Sequence, residues 1–158
     1  MKNFLRIVLH PFKFRFYLLT KLPAAFFSGV KVRYADESKC IATVPFKWFS
    51  RNPFGSTYFA CLSMAAEMST GILAMTHCYD QKPGISMLVV KTEGVFLKKA
   101  KGITQFTCED GGLIEMTIKE AMSSGKSQTT ACRSVGTDDS GDIIAEFTIT
   151  WSFRVKRQ

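Results

Sequence analysis

One carboxylate stands out by its position in the sequence. From Thr57 to Thr76 the residues are apolar or small, and Glu67 is the only charged one. Hydrophobic residues occur all round the helical wheel of this run, which predicts one long helix that is buried on most sides. A carboxylate inside such a helix costs free energy unless it has a partner or a function. Partial burial should raise its pKa, which would suit a general base near neutral pH.

Small side chains share the helical face of Glu67. Steps of three and four residues place on one stripe Ala60, Ser63, Glu67, Thr70, Gly71 and Ala74. This stripe could form a groove, in which Ser63 and Thr70 hydrogen-bond the carboxylate. The alternative is close packing of the helix on a sheet or on a second copy of the chain, with Glu67 as a satisfied core carboxylate.

The start of the helix offers backbone donors. The run RNPFG at 51–55 predicts a turn whose proline prevents an earlier helix start, and Ser56 is the predicted N-cap. Unpaired N–H groups near Tyr58 and Phe59 would carry partial positive charge, which suits an oxyanion. Asn52 could position a substrate or a water molecule beside them.

Other reactive residues form no recognisable constellation. His77 is expected near the end of the long helix, where a structural role is favoured, and His10 is the other histidine. The five cysteines are scattered, with no C-x-x-C pair and no zinc spacing, so we expect a reducing compartment, a cytoplasmic protein and no metal site. No secretory signal is indicated, because basic residues interrupt the early apolar run.

Positive charge is concentrated at the start of the chain. The 158 residues carry a net charge of +8, and residues 1–35 contain seven Lys or Arg and no acid. Nucleic-acid binding is disfavoured, because this segment is rich in large aliphatics and has no recognised motif. Two interpretations of residues 1–27 remain: a helical lid on the domain, or peripheral contact with an anionic membrane.

The pattern of this segment predicts two short helices. One precedes Pro11 and the other runs from Pro11 to Lys21, with Pro23 ending the pattern. We expect the buried stripe to consist of Phe4, Leu5, Val8, Leu9, Phe12, Phe16, Leu19 and Leu22.

Six strands are predicted around the long helix. They are Gly29–Tyr34, Lys39–Phe46, Ile85–Lys99 with a bend at Gly94, Gly102–Cys108, Gly125–Val135 and Ile143–Val155. Residues 113–122 show some helical period between them. A helix that is apolar on all sides must be surrounded, which one curved antiparallel sheet would do, and a homodimer would protect the sheet edges. A transmembrane helix is disfavoured by the central Glu67 and the flanking strands.

This order of elements, β-β-α-β-β-β-β, resembles the α+β hot-dog fold. Asn52 and Gly55 match the Asn-x-x-Gly turn of hot-dog acyl-CoA thioesterases, including the phenylacetate-pathway type. Tyr58, Phe59 and Ala60 fall where that family usually has His-Gly-Gly, and Glu67 falls on its catalytic acid. The run FLKKAKG at 96–102 is similar to the family's strand that ends in an Ala-x-Gly turn.

The resemblance covers residues 29–155 and is closest to an uncharacterised, thioesterase-like branch. It implies a hot-dog domain at 29–158 preceded by a helical extension at 1–28. It also implies a homodimer, which could pair further into a tetramer. Hot-dog dehydratases use a histidine just before the central helix. No histidine lies between His10 and His77, so dehydratase chemistry is disfavoured.

The implied activity is hydrolysis of an acyl-CoA thioester without a cofactor, apart from the coenzyme A of the substrate. Glu67 would be the base or nucleophile, helped by Thr70. The Phe59 backbone N–H would be the oxyanion donor, and Asn52 would be the positioning residue. Any residue except proline supplies that N–H, so phenylalanine can replace the usual glycine. The implied substrate contacts are Gly55, Tyr58, Ala60, Ser63, Gly71, Lys98, Lys99 and Lys101.

Two alternatives stay open. The three lysines could contact the phosphates of coenzyme A, or they could be a solvated run that protects a strand edge. The whole protein could be a non-catalytic binder of acyl-CoA or acyl lipid, associated with a membrane surface through its N-terminal segment.

Overall fold

Residues 3–156, which a computed structural model describes, fold into five α-helices, a short 3₁₀ turn and six strands. In chain order these are α1 (Asn3–Val8), α2 (Pro11–Lys21), α3 (Pro23–Ser28), β1 (Lys31–Ala35), β2 (Cys40–Pro45), the 3₁₀ turn (Trp48–Ser50), α4 (Phe59–Cys78), β3 (Ile85–Phe96), β4 (Ile103–Cys108), α5 (Gly111–Ser124), β5 (Gln128–Thr137) and β6 (Ile143–Val155).

The six strands form one sheet in the order β1-β2-β4-β5-β6-β3, and all neighbours are antiparallel. Helix α4 packs against strands across the whole sheet. Leu73 of α4 is fully buried with Phe106 of β4 and Phe153 of β6 in the same core. The predicted α+β architecture, a curved antiparallel sheet around one long helix, is confirmed.

Helix α4 is the core helix of the fold. Within residues 3–156 it is the one helix long and apolar enough to cross a membrane, but 67% of its most apolar window is buried inside the protein. Two of its buried hydroxyls have internal partners: the Ser69 hydroxyl lies 2.8 Å from that of Ser134 on β5, and Thr76 donates to the Ile72 carbonyl at 2.7 Å. These bonds offset the desolvation penalty of burying the two hydroxyls in the core.

The N-terminal extension has three helices in its described part, one more than predicted. Pro23 ends α2 but also begins α3, because proline fits the first turn of a helix. The predicted buried stripe of α2 is wrong: Phe14 and Leu18 face the core, whereas Phe12 and Phe16 are 81% and 68% exposed. Phe4, Leu5 and Val8 of α1 are buried as expected, while Leu9, Leu19 and Leu22 are exposed. The predicted extension also includes Met1 and Lys2, which lie outside the described residues.

Strand β3 is shorter than predicted and bends at a different residue. It ends at Phe96, and its irregularity lies between Val89 and Lys91, not at Gly94. Gly94 instead faces the Phe147 ring, 2.8 Å from where a Cβ would stand, so glycine there permits a close approach of β3 to β6. The weak helical period at 113–122 is a full helix, α5, which packs on β5, β6 and α4.

Candidate functional site

An open cavity of about 560 Å³ lies at the N-terminal end of α4. One wall is the segment that leads into the helix, and the other is the chain that leaves β3. The cavity is lined by Asn52, Pro53, Phe54, Ser56, Thr57, Tyr58, Phe59, Leu62, Phe96, Leu97, Lys98, Lys99 and Ala100. Five of the residues singled out in the sequence therefore meet here: Asn52, Tyr58, Phe59, Lys98 and Lys99.

The side chain of Asn52 builds the turn that forms one wall. Its Oδ1 accepts from the backbone N–H groups of Phe54 and Ser56 at 3.0 and 3.2 Å, and its Nδ2 donates to the Ser56 hydroxyl at 3.1 Å. This is an Asx turn, completed by Gly55 in the left-handed region at φ +71°. Asn52 lines the cavity, and these bonds engage its amide in the turn. Its role in positioning a substrate or a water molecule stays a prediction.

Ser56 does not cap the helix, contrary to prediction. Helix α4 begins at Phe59, and its N-cap is Tyr58, which makes no side-chain capping bond. The chain enters the helix on two backbone bonds, from Thr57 N–H to the Ala100 carbonyl at 2.8 Å and from Tyr58 N–H to the Ser50 carbonyl at 2.7 Å. Because Asn52 uses the Ser56 hydroxyl, that serine is not available to the helix end.

The backbone N–H groups of Phe59 and Ala60 have no hydrogen-bond partner within the described part of the chain. They are the first donors of α4, and the positive end of the helix dipole adds to their pull on an anion. The Phe59 ring is 55% exposed and packs against Tyr58 and Phe96, with ring centroids 4.8 and 6.3 Å away. The ring is thus held by its two aromatic neighbours, and the role of the Phe59 N–H as an oxyanion donor stays a prediction.

Glu67 lies elsewhere on α4, beneath the N-terminal extension. Its half-buried side chain lines an opening of about 210 Å³ beside Leu22, Ala25 and Met64, and a smaller one of about 60 Å³ beside Tyr17. Burial raises the pKa of the Glu67 carboxyl above its ordinary value. No hydrogen bond or ion pair joins this carboxylate to any residue between 3 and 156.

Ser63 and Thr70 do not hydrogen-bond the Glu67 carboxylate, so that prediction is wrong. Ser63 donates to the Phe59 carbonyl at 3.0 Å, and Thr70 donates to the Glu67 carbonyl at 3.1 Å. Both hydroxyls bond back to their own helix, as Ser and Thr commonly do. The Thr70 oxygen also accepts from Trp151 Nε1 at 3.0 Å, a buried bond that the sequence did not indicate.

Gly71 is the small residue that accommodates the carboxylate. A Cβ at this position would stand 3.0 Å from Glu67 Oε1 and 3.3 Å from the Trp151 ring. Ala60 and Ser63 are half-buried, while Gly71 and Ala74 are buried. Of the predicted small-residue stripe, Gly71 lines an opening beside Glu67, and no stripe residue lines the cavity at the end of α4.

The three lysines have different surroundings. Lys98 lines the cavity and pairs with Asp138 and Asp142, both at 2.7 Å. Lys99 also lines the cavity and donates to the Phe54 carbonyl at 3.3 Å, which leaves it at the rim. Lys101 is exposed and is not a lining residue of this cavity. Contact of these lysines with a phosphate stays a prediction.

His77 is buried, and its Nε2 lies 2.8 Å from the Glu37 carbonyl, which agrees with the structural role predicted for it. Across residues 3–156, no group of three His, Cys, Asp or Glu side chains could hold a metal ion.

Three cavity residues were not predicted from the sequence: Leu62, Leu97 and Ala100. The available signal was the FLKKAKG run, in which the Ala100 carbonyl accepts a hydrogen bond from the Thr57 N–H.

Comparison with known proteins places the fold. No family model and no curated protein match this chain. A Pseudomonas aeruginosa structure named a probable thioesterase of unknown function is 22% identical, with TM-score 0.78 over 92% of this chain and 97% of that one. A Chlorobaculum tepidum protein of unknown function is 13% identical, with TM-score 0.77 over 94% and 99%. A Haemophilus influenzae thioesterase is 12% identical, with TM-score 0.61 over 85% of each chain. At these identities the likeness establishes the architecture, and the chain has the hot-dog fold.

Proposed function

We propose that this protein hydrolyses acyl thioesters of coenzyme A at a site shared by two copies of the chain. The observation that carries this proposal is the cavity at the end of α4. Phe59, whose backbone N–H has no partner among residues 3–156, lines it with the apolar Leu62 and Phe96, and Lys99 lies at its rim. Two proteins of the same fold named as thioesterases add support from outside the chain.

The Phe59 N–H would stabilise the oxyanion. When a nucleophile attacks the thioester carbonyl, negative charge develops on its oxygen, and a donor already aimed at that position lowers the barrier. The helix dipole adds to the effect. The acyl chain would contact Leu62 and Phe96, and Lys99 would meet a phosphate of coenzyme A as a charged, hydrogen-bonding partner.

Glu67 would activate the water, but not for the cavity of its own chain. It follows Phe59 by eight residues, and a rise of 1.5 Å per residue separates the two by about 12 Å along the helix. A base and an oxyanion donor that serve one carbonyl each lie within about 3–3.5 Å of reacting atoms. This separation favours a site in which a second copy of the chain supplies the acid.

The free edge of the sheet is where that second copy would pair. Strand β3 is an edge strand of 12 residues. Long, apolar, unprotected edges favour pairing with another chain, and on this edge Leu88, Val95 and Phe96 are 64%, 59% and 49% exposed. The substitution Leu88→Lys would give a monomer in sedimentation, while Leu113→Lys on α5 would leave the dimer intact. A wild-type monomer would refute the shared site.

The reaction balances with water as the only co-reactant. The Glu67 carboxylate takes a proton from water as the hydroxide oxygen bonds to the thioester carbon. The oxyanion then collapses, the carbon–sulfur bond breaks, and coenzyme A leaves as a thiol after taking the proton from Glu67. The products are the free acid and coenzyme A.

The direct test measures thiol release from acyl-CoAs of several chain lengths. We expect Glu67→Gln to lower kcat by about a hundredfold or more, the range for loss of a general base. Glu120→Gln, an exposed carboxylate on α5, is the matched control. No thiol release by the wild-type protein, or equal release by Glu67→Gln, would refute the assignment.

The oxyanion donor has its own test. Phe59→Pro removes the N–H at the first helical position, where proline is well tolerated, and Tyr58 already has the extended φ −63° and ψ 135° that proline requires before it. We expect a loss of about a hundred- to a thousandfold in kcat. Phe59→Ala keeps the N–H and should retain most of the activity. An equal loss of kcat in both variants would assign the effect to the ring.

A second candidate function is binding of acyl-CoA without hydrolysis. It is favoured by the surroundings of Glu67, whose carboxylate has no hydrogen-bond or ion-pair partner among residues 3–156 and shares its openings mostly with apolar side chains. Calorimetry with an acyl-CoA distinguishes the two: heat of binding with no thiol release supports the binder.

A further inference from the structure

An apolar face of α2 points to solvent. Phe12, Phe16 and Leu19 follow one another at steps of four and three residues, which places them on one side of the helix. Their exposed fractions are 81%, 68% and 41%. Phe14 and Leu18, on the opposite side, hold the helix on the domain, so the outward face is not needed for folding.

A basic cavity of about 360 Å³ borders this face. It lies between α2 and β1, and its charged lining residues are Arg15, Lys31 and Arg33. Val8, Leu9 and Leu18 contribute its apolar surface, and no carboxylate from residues 3–156 lines it. Arg15 stands one helical step from Phe12 and Leu19, so the cavity and the apolar face are adjacent.

Arg15 holds its positive charge beside this cavity. Its guanidinium lies 4.0 Å above the Phe26 ring, which stabilises the charge but accepts no hydrogen bond. Arg15 also lines the cavity together with Lys31 and Arg33. A phosphate in the cavity would therefore meet three basic side chains.

We propose that the surface formed by the apolar face of α2 and the Arg15–Lys31–Arg33 cavity binds a membrane of anionic phospholipid, with one lipid phosphate in the cavity. Phe12 and Phe16 enter the boundary between head groups and acyl chains, as aromatic residues of interfacial helices do. The seven basic residues and absence of acids in residues 1–35 supply the complementary charge. An exposed Phe face argues against a soluble anion as the whole ligand, because a soluble ion leaves that face in water.

The test is cosedimentation of the full chain with vesicles. We expect binding to vesicles of equimolar phosphatidylcholine and phosphatidylglycerol, and none to phosphatidylcholine alone. The double variant Phe12→Ser/Phe16→Ser should bind at least about tenfold more weakly, and Arg15→Gln about fivefold more weakly, the usual contribution of one basic residue at an anionic surface. Met116→Ser and Lys126→Gln are matched exposed controls, and both should bind like the wild-type chain.

The anion in the cavity is either the phosphate of a lipid or a free phosphate. Competition with soluble inorganic phosphate and with glycerol phosphate distinguishes these two sources. We expect neither to displace the protein from vesicles at ionic strength held constant. Displacement by either would assign the cavity to a free phosphate and overturn the lipid proposal. Equal binding to neutral vesicles, no binding, or wild-type binding by the double variant would overturn it too. Thiol release from soluble acyl-CoA is measured on the same variants, so this proposal and the catalytic one fail separately.

Discussion

A carboxylate oxygen of Glu67 occupies the space that glycine leaves at position 71. A Cβ built on Gly71 would stand 3.0 Å from Glu67 Oε1, closer than ordinary van der Waals contact, and 3.3 Å from the Trp151 ring. The glycine therefore sets how near to the helix axis the carboxylate rests. Any larger residue must displace the carboxylate, the indole or both.

The first prediction concerns that contact. Gly71→Ala should lower kcat for thioester hydrolysis by about ten- to a hundredfold, because a misplacement of the order of 1 Å is enough to have such an effect. Stability should change little, since alanine gains about 0.5–1 kcal/mol in a helix interior and the contact offsets it. Gly112→Ala on α5, where a Cβ meets nothing within 4 Å, is the control. Full activity in Gly71→Ala would show that the position of the carboxylate is unimportant.

The second prediction concerns pH and stability. Burial raises the pKa of Glu67 in the folded state, so the folded protein holds this proton at pH values where the unfolded chain has lost it. Its contribution to stability is therefore full at low pH and declines as pH rises from the ordinary glutamate pKa, about 4.3, through the folded-state value. Glu67→Gln should have a higher free energy of unfolding than the wild-type protein at pH 7, and the gap should narrow towards pH 4.

Urea unfolding at a series of pH values measures that gap. Glu120→Gln, which removes an exposed carboxylate, should show no such trend. A gap that stays constant between pH 4 and pH 7 would mean that the folded protein does not raise the pKa of Glu67.

The third prediction concerns the buried bond between Trp151 and Thr70. Thr70→Val keeps the shape of the side chain but leaves the Trp151 indole N–H without an acceptor in the core. We expect a loss of about 1–3 kcal/mol in the free energy of unfolding, the cost of an unsatisfied buried donor. Thr70→Ser keeps the hydroxyl and should lose less. If Trp151→Phe removes most of the extra cost of Thr70→Val in a double-mutant cycle, the bond is the cause.

The sequence was sufficient for the fold because its strongest signals are local. Hydrophobic periodicity identified α4 and six strands, and the break at 82–84 separated α4 from β3. It failed for α2, where aromatic residues occur on both faces of the helix and periodicity cannot tell Phe14, which is buried, from Phe12, which is exposed. It also failed to find α5 in full, because Gly111 and Gly112 mask its start; Gly111 fits there since its backbone closely approaches Ser38.

The candidate site residues Phe59 and Glu67 came from the start of the long helix and from the one charge within it, but their contacts were not predictable. Neither the Phe59 N–H nor the Glu67 carboxylate has a partner among residues 3–156, whereas hydroxyl partners had been predicted for Glu67. Hydroxyl partners depend on tertiary contacts, so the bond from Trp151 to Thr70, 81 residues apart in the chain, has no local signal. The engagement of Lys98 by Asp138 and Asp142 is equally non-local.

The last prediction tests whether two chains share the active site. Phe59→Pro removes the oxyanion donor and Glu67→Gln removes the base, so each homodimer should be inactive. In a mixed dimer, one site combines both defects, while the other joins the intact Phe59 N–H of one chain to the intact Glu67 of its partner. Random assortment of equal amounts makes half of the dimers mixed, each with one working site of two.

We therefore expect thiol release to recover to about a quarter of the wild-type rate when the two variants are unfolded together and refolded, since mixed dimers alone contribute. Refolding each variant separately and then combining them, without exchange, is the control and should give no recovery. If the two groups acted within one chain, every site in the mixture would lack one of them, and activity would stay at the level of the single variants. A recovery near one quarter is thus explained only by a site that takes its donor from one chain and its base from the other.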